Sequence, residues 1–224
     1  MTTSPDTRQR LQIAGPAGPL EVLVERPPEP GGPLCVVCHP HPQYGGTLDN
    51  KVVYTLARAA NELGAIAVRF NFRGVGQSAG AFDHGAGEVD DLLAVVAWAR
   101  AVYPGQPLHL AGFSFGAAMA LRGHVAAGAA SLLLVAPPAG MGYLEQDAAP
   151  RLPWQVIHGS RDELVGLDVL RGWLVATAGD TPPLTVIDDA DHFFHGRLTP
   201  LREAARAFWV PLMPLRLDSS GRAK

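Results

Sequence analysis

Six short apolar runs recur along the chain, with segments of helical character between most of them: LCVVCH from position 34, IAVRFNF from 66, PLHLAGF from 107, SLLLVAP from 131, WQVIHG from 154 and LTVIDD from 184. Runs this uniformly apolar suit strands covered on both faces, and parallel strands must be joined by crossovers, usually helical and right-handed. The pattern predicts an α/β fold: a mostly parallel, doubly wound sheet of about seven to eight strands with helices on both faces. Ahead of it, LQIAG and LEVLVERP alternate in polarity around PAGP, which predicts an antiparallel N-terminal hairpin, and PPEPGGP breaks the chain before Leu34.

The helices carry their own punctuation. DNKVVYTLARAANELG puts Val52, Leu56, Ala59, Ala60 and Leu63 on one stripe, with Asp49 as the expected N-cap and Gly64 just past the end. GEVDDLLAVVAWARAVYPG repeats the spacing with Val89, Leu92, Leu93 and Val96. A third helix is expected after Ser114, a fourth around residues 164–176, and PLREAARAFWVPLMP closes the fold, stopped by Pro211 and Pro214. No internal repeat or long polar linker divides the chain, and 224 residues at 47% hydrophobic fill one core. The expected organisation is a flexible N-terminus at 1–9, a single domain at 10–213 and a flexible tail at 214–224.

A formal net charge of -3 leaves no basic footprint for nucleic acid or anionic lipid. No run approaches the ~18 apolar residues that span a bilayer, and the first ten residues lack an apolar signal core. The expectation is a cytoplasmic protein that meets small molecules and neither nucleic acid nor membrane; its oligomeric state leaves no trace in the sequence. Cys35 and Cys38 form a C-x-x-C pair, but inside a strand, where positions three apart face opposite ways and lie ~10 Å apart. They are expected to be inert core thiols.

The stretch LHLAGFSFGAAMALRGHVAAG holds G-x-S-x-G, Gly112 to Gly116, where a strand hands over to a helix. Raising a serine hydroxyl above a sheet edge takes a sharp turn, and side chains around it collide unless the flanking positions are glycine-sized. Ser114 then stands at a helix N-terminus, where free N–H groups favour developing negative charge. A serine hydroxyl is a weak nucleophile at neutral pH and needs a histidine base held by a carboxylate. Both types follow at strand ends: Asp162 and Glu163 after WQVIHG, then Asp188, Asp189, Asp191, His192 and His195 after LTVIDD. A parallel sheet gathers these C-terminal ends on the edge where Ser114 emerges.

With HPHPQYGG, FNFRGVGQSAG, AGFSFGA, HGSRDELV and DADHFFHG in this order, the sequence resembles the α/β-hydrolase superfamily, in particular its small, lidless, carboxylesterase-like serine hydrolases, over nearly the whole chain from residue 34. The resemblance implies that Ser114 is the nucleophile, Asp162 the acid and His192 the base of a catalytic triad, with Glu163 and His195 as the nearest rivals. Such sites also need two N–H donors for an oxyanion. Phe115, next after the serine, supplies one. In HPHPQYGG, Pro40 and Pro42 have no N–H, which leaves the backbone of His41 as the other; Pro40 stands where the superfamily commonly has glycine.

The resemblance implies hydrolysis of esters or thioesters through an acyl-enzyme, with water as second substrate and no cofactor. Acyl transfer or perhydrolysis on the same triad, and a catalytically silent interaction module, are the alternatives. His39, His41, His192 and His195 could be read as metal ligands, but His192 on a metal would leave Ser114 without a base, so no metal is expected. RGVGQSAG, residues 73–80, imitates a dinucleotide fingerprint at Gly74, Gly76 and Ala79, yet AFDHGAGE after it starts no helix where a pyrophosphate needs one. Between SLLLVAP and WQVIHG, where a lid is usually inserted, residues 138–153 have room for no cap. An open cleft walled by Tyr44, Phe113, Met141 and Tyr143, and short acyl groups, are expected.

Overall fold

The computed structural model describes residues 7–28, 31–144, 149–178 and 183–213. Strand β1 (Arg8–Gly15) and β2 (Gly18–Glu25) form the hairpin, and β2 continues antiparallel onto β4 (Ile66–Phe70). From there β3 (Leu34–Cys38), β5 (Leu108–Phe113), β6 (Ser131–Val135), β7 (Trp154–Gly159) and β8 (Leu184–Ile187) run parallel, in the sheet order β1-β2-β4-β3-β5-β6-β7-β8. β1 starts at Arg8, inside the stretch expected to be loose, because backbone pairing to β2 from Arg8↔Glu25 onward holds it. Pro214 and the polar tail lie outside the described residues.

Strand parity sorts the core side chains of the parallel strands between the two faces. Leu34, Val36 and Cys38, Leu108 and Leu110, Leu132 and Leu134 pack with α2 (Ala86–Val102), α3 (Phe115–Ala127) and α4 (Leu167–Ala178). Cys35 and Val37, Ala111 and Phe113, Leu133 and Val135 pack with α1 (Lys51–Asn61) and α5 (Leu198–Trp209). The two cysteines therefore lie in opposite layers, both as free buried thiols, and burial raises both thiol pKa values far above the ordinary value.

Helix α1 is capped one residue later than expected. Asn50 Oδ1 accepts the N–H groups of Val52 and Val53 at 2.9 and 3.4 Å, whereas Asp49 is drawn off by Arg10, whose Nη2 donates to Asp49 Oδ2 at 2.8 Å. Helix α5 ends at Trp209, two residues before Pro211. The segment between β6 and β7 contains no helix or strand among the described residues, and the fold carries no lid. Among the described residues, no helix is long and apolar enough to cross a membrane.

Candidate active site

The elbow explains its glycines by contact. A Cβ on Gly112 would stand 2.1 Å from the carbonyl oxygen of Gly116, so the two glycines occupy each other's space. A Cβ on Gly116 would meet the carbonyl oxygens of His39 and Cys38 at 2.4 and 2.5 Å, which is how the start of α3 lies directly against the end of β3. Ser114 between them takes φ 54 and ψ -122, a left-handed conformation costly for a side chain with a Cβ. Its N–H is anchored on Val135 O at 2.8 Å and its carbonyl accepts from Ala117 and Ala118, which leaves the hydroxyl, partly exposed, at the C-terminal edge of the sheet.

The β7 and β8 loops bring the partners. After Gly159, where a Cβ would be 2.3 Å from Ala190 O, the two loops lie against each other. Asp162 accepts the N–H groups of Leu164 and Val165 on Oδ1, at 3.0 and 2.8 Å, and His192 Nδ1 on Oδ2 at 2.8 Å. With that proton on Nδ1, His192 Nε2 is free to accept the Ser114 hydroxyl, 3.1 Å away. His192 is 2% exposed and the Asp162 side chain is fully covered. Burial works to raise the Asp162 pKa, but the hydrogen bonds from His192 and the Val165 N–H, with the charges of His192 and His158, hold it below the ordinary carboxylate value.

The rivals have other partners. Glu163 Oε2 accepts the backbone N–H of His192 at 3.1 Å, so it orients the loop and leaves the imidazole alone. His195 is exposed and pairs with Asp191 at 2.7 Å. His41 Nδ1 accepts the Gln43 N–H at 3.2 Å, so its Nε2–H faces the Tyr143 hydroxyl at 3.2 Å. His39 is buried between Phe72 and Pro40. The four histidines thus have four separate sets of partners, and among the described residues no group of three or more His, Cys, Asp or Glu could hold a metal ion. The RGVGQSAG segment is a turn at the end of β4, closed by Gly74 N–H on Ala79 O at 3.0 Å and by Gln77 N–H on Glu21 Oε2 at 2.9 Å.

The N–H groups of Phe115 and His41 donate to no protein acceptor among the described residues. Around His41 the expected walls only partly assemble. Tyr44 lies 4.7 Å from the His41 ring and is 84% exposed, Tyr143 stands edge-on to Phe115 at 5.2 Å, and Met141 is 46% exposed on the same loop as Tyr143. Phe113 is no wall: strand parity turns it into the α1/α5 layer, where it is fully buried beneath His192, ring centroids 5.1 Å apart. Phe82, partly exposed, instead lies 4.7 Å from His41 and 5.8 Å from Phe115; its sequence signal is being the first large apolar side chain after the glycine-rich turn. His158, on β7, carries no local sequence signal of its role. It donates Nε2–H to Val165 O at 2.9 Å, 3.6 Å from Asp162 Oδ2, and so pins the turn that presents the carboxylate.

Several solved structures share this architecture. A serine hydrolase without lid from Xanthomonas campestris is 44% identical, with 95% of this chain and 98% of that one covered at a TM-score of 0.88. An alpha-beta serine hydrolase homologue from Coxiella burnetii is 41% identical over 89% of this chain and 96% of that one, TM-score 0.84. An uncharacterized protein of Rickettsia prowazekii is 31% identical over 212 residues, 91% of this chain and 89% of that protein. The profile described as the alpha/beta hydrolase family matches residues 35–221, most of the sheet and every helix of this fold, and the chain belongs to that family.

Proposed function

We propose that this protein is a serine hydrolase that cleaves esters or thioesters of small, short-acyl substrates through an acyl-enzyme on Ser114. The observation that carries the reading is the unbroken hydrogen-bonded line from Asp162 through His192 to Ser114, at 2.8 and 3.1 Å. Ser114 Oγ attacks the carbonyl carbon while its proton passes to His192 Nε2, and Asp162, kept ionised, stabilises the imidazolium. The carbonyl oxygen gains the electron pair, and the N–H groups of Phe115 and His41 stabilise it. The tetrahedral species collapses, and the alcohol or thiol leaves with the proton from His192. Water then gives its proton to His192, attacks the acyl carbon and releases the carboxylic acid, and the proton returns to Ser114. No step needs a cofactor.

The short-acyl preference follows from the cleft. Without a cap, and with Tyr44 at 84% exposure, a long chain finds little surface to bury against. Each methylene contributes ~0.8 kcal/mol only while it leaves water. The test is a panel of p-nitrophenyl esters and matched thioesters of graded acyl length, with Ser114→Ala as blank and a fluorophosphonate as covalent label. Labelling of Ser114 and a kcat/KM that levels off after a few methylenes are expected. No labelling would overturn the mechanism, and a steep rise out to long chains would overturn the open cleft.

A further inference from the structure

His39 takes no part in the proposed proton transfers, yet it is fully buried and commits both ring nitrogens, one to the loop that follows β3 and one to the loop that follows β4. Its Nε2 accepts the backbone N–H of Phe72 at 3.0 Å, so that nitrogen carries no proton and the ring N–H is on Nδ1. Nδ1–H donates to the carbonyl oxygen of Pro40, 2.6 Å away. That carbonyl belongs to the same peptide unit as the N–H of His41. The unit is trans, so its C=O and N–H point in opposite directions, and a bond that fixes the one aims the other. Proline already locks its own φ, which leaves ψ of Pro40 as the free angle of this peptide, and ψ is what the His39 bond holds.

The same oxygen is confined from a second side. A Cβ on Gly46 would stand 2.1 Å from it, and the Gly46 N–H is tied to His41 O at 3.0 Å, beside that of Tyr44 at 3.1 Å. The carbonyls of Pro40 and His41 each have a donor, and Pro40 has no N–H to place. The His41 N–H is the polar group of the pair left open among the described residues.

We infer that His39 is a positioning residue for hydrolysis: through its Nδ1–H bond to the Pro40 carbonyl it aims the His41 N–H at the oxyanion. The inference rests on the serine hydrolase reading. It also accounts for a proline where a flexible glycine would let the peptide turn.

Two substitutions separate the ring's two bonds. In His39→Asn the amide nitrogen falls near the place of Nδ1 and can still donate to Pro40, but nothing reaches the Phe72 N–H. In His39→Gln the longer side chain can accept from Phe72 and gives up Pro40. Both lose the edge contact of the ring with Phe72 at 4.7 Å, so packing losses are matched. For the full-length variants, kcat and KM for p-nitrophenyl acetate are measured per folded site, counted by exhaustive fluorophosphonate labelling. The Ki of a small trifluoromethyl ketone, whose adduct with Ser114 carries an oxyanion, is measured alongside.

His39→Asn is expected within about fivefold of wild type. His39→Gln is expected to lose about 10- to 100-fold in kcat with KM little changed, and to bind the ketone more weakly by a similar factor, since outright removal of an oxyanion donor costs about 100- to 1,000-fold. Gly46→Ala, which pushes on the same oxygen, should behave like His39→Gln, and it carries the test if the His39 variants do not fold. Equal losses in Asn and Gln, or an unchanged ketone Ki in Gln or in Gly46→Ala, would overturn the role of His39 and leave the hydrolase reading standing. A wild-type protein that neither turns over esters or thioesters nor takes the label would overturn both.

Discussion

Acid is expected to destabilise this protein through two buried histidines. Burial pushes His39 and His109 down to about 4 from an ordinary 6.5, and in His39 the bond to Pro40 works against that push. His109, on β5, shares a hydrogen bond of 2.7 Å with Ser131 Oγ through Nδ1, while its Nε2 is buried without a partner among the described residues. A second proton on that ring has no acceptor to meet. Below 6.5 the unfolded chain takes up a proton at each position and the folded chain does not, so stability falls as the pH drops from 6.5 to about 4 and falls no further from these two groups below that. At about 1.4 kcal/mol per pH unit the interval is worth about 3 kcal/mol for each histidine, a large part of the ~5–15 kcal/mol that holds a domain folded. Asp162 adds to the trend lower down: its stabilisation is present above the ordinary carboxylate pKa and is lost as the pH falls through its depressed folded value.

The assay is urea unfolding followed by circular dichroism at steps between about pH 7.5 and 4.5, on the wild type and on His109→Asn, whose amide nitrogen can replace Nδ1 toward Ser131. Across that range the variant should lose roughly 3 kcal/mol less than the wild type, with the two closest in their losses above pH 6.5. Parallel curves down to the lowest pH would refute the argument, because they would mean that His109 is protonated as readily in the folded protein as in the unfolded one.

Three further outcomes are expected. Ser114→Gly should be inactive yet more stable by about 1 kcal/mol in a denaturant titration, since glycine relieves φ 54; equal or lower stability would mean that the elbow stores no strain. His192→Ala should lower kcat by several orders of magnitude, whereas His195→Ala, exposed and paired only with Asp191, should stay within about twofold; reversed outcomes would move the base to His195. Gly112→Ala should cost ~4 kcal/mol or more, or fail to fold, because its Cβ would stand 2.1 Å from a backbone oxygen, and a melting temperature like wild type would show that the two glycines are not in contact.

The parts of this site that were legible in the sequence are those whose cause is local. G-x-S-x-G can be read because the space that Gly112 must leave is needed by Gly116, four residues on, and the strand ends can be read because an apolar run stops at each. Asn50 lost to Asp49 as the expected cap only because both are good caps, and the competing claim on Asp49 comes from Arg10, 39 residues away. Phe113 falls outside the expected wall for a related reason. A strand buried on both faces shows no alternation of polarity, so nothing near Phe113 says which layer it enters; the register Phe113↔Val135 and the packing of α5 decide that.

His39 belongs to the same class. Its neighbours in sequence suggest a metal ligand, and its partners, Phe72 and Pro40, show otherwise only once β3 and β4 are paired in register from Leu34↔Ile66 to Val37↔Arg69. That pairing carries the end of β3 level with the end of β4, and the missing side chain of Gly116 lets α3 close on the same point. The aim of one N–H group therefore depends on a strand register, a glycine in another element and the neutral state of a buried ring. Because each of these is a packed contact and none is a flexible hinge, a defect in any one should appear as a lower rate at unchanged substrate affinity, which is the signature of a group that meets the substrate only when its carbonyl oxygen becomes charged.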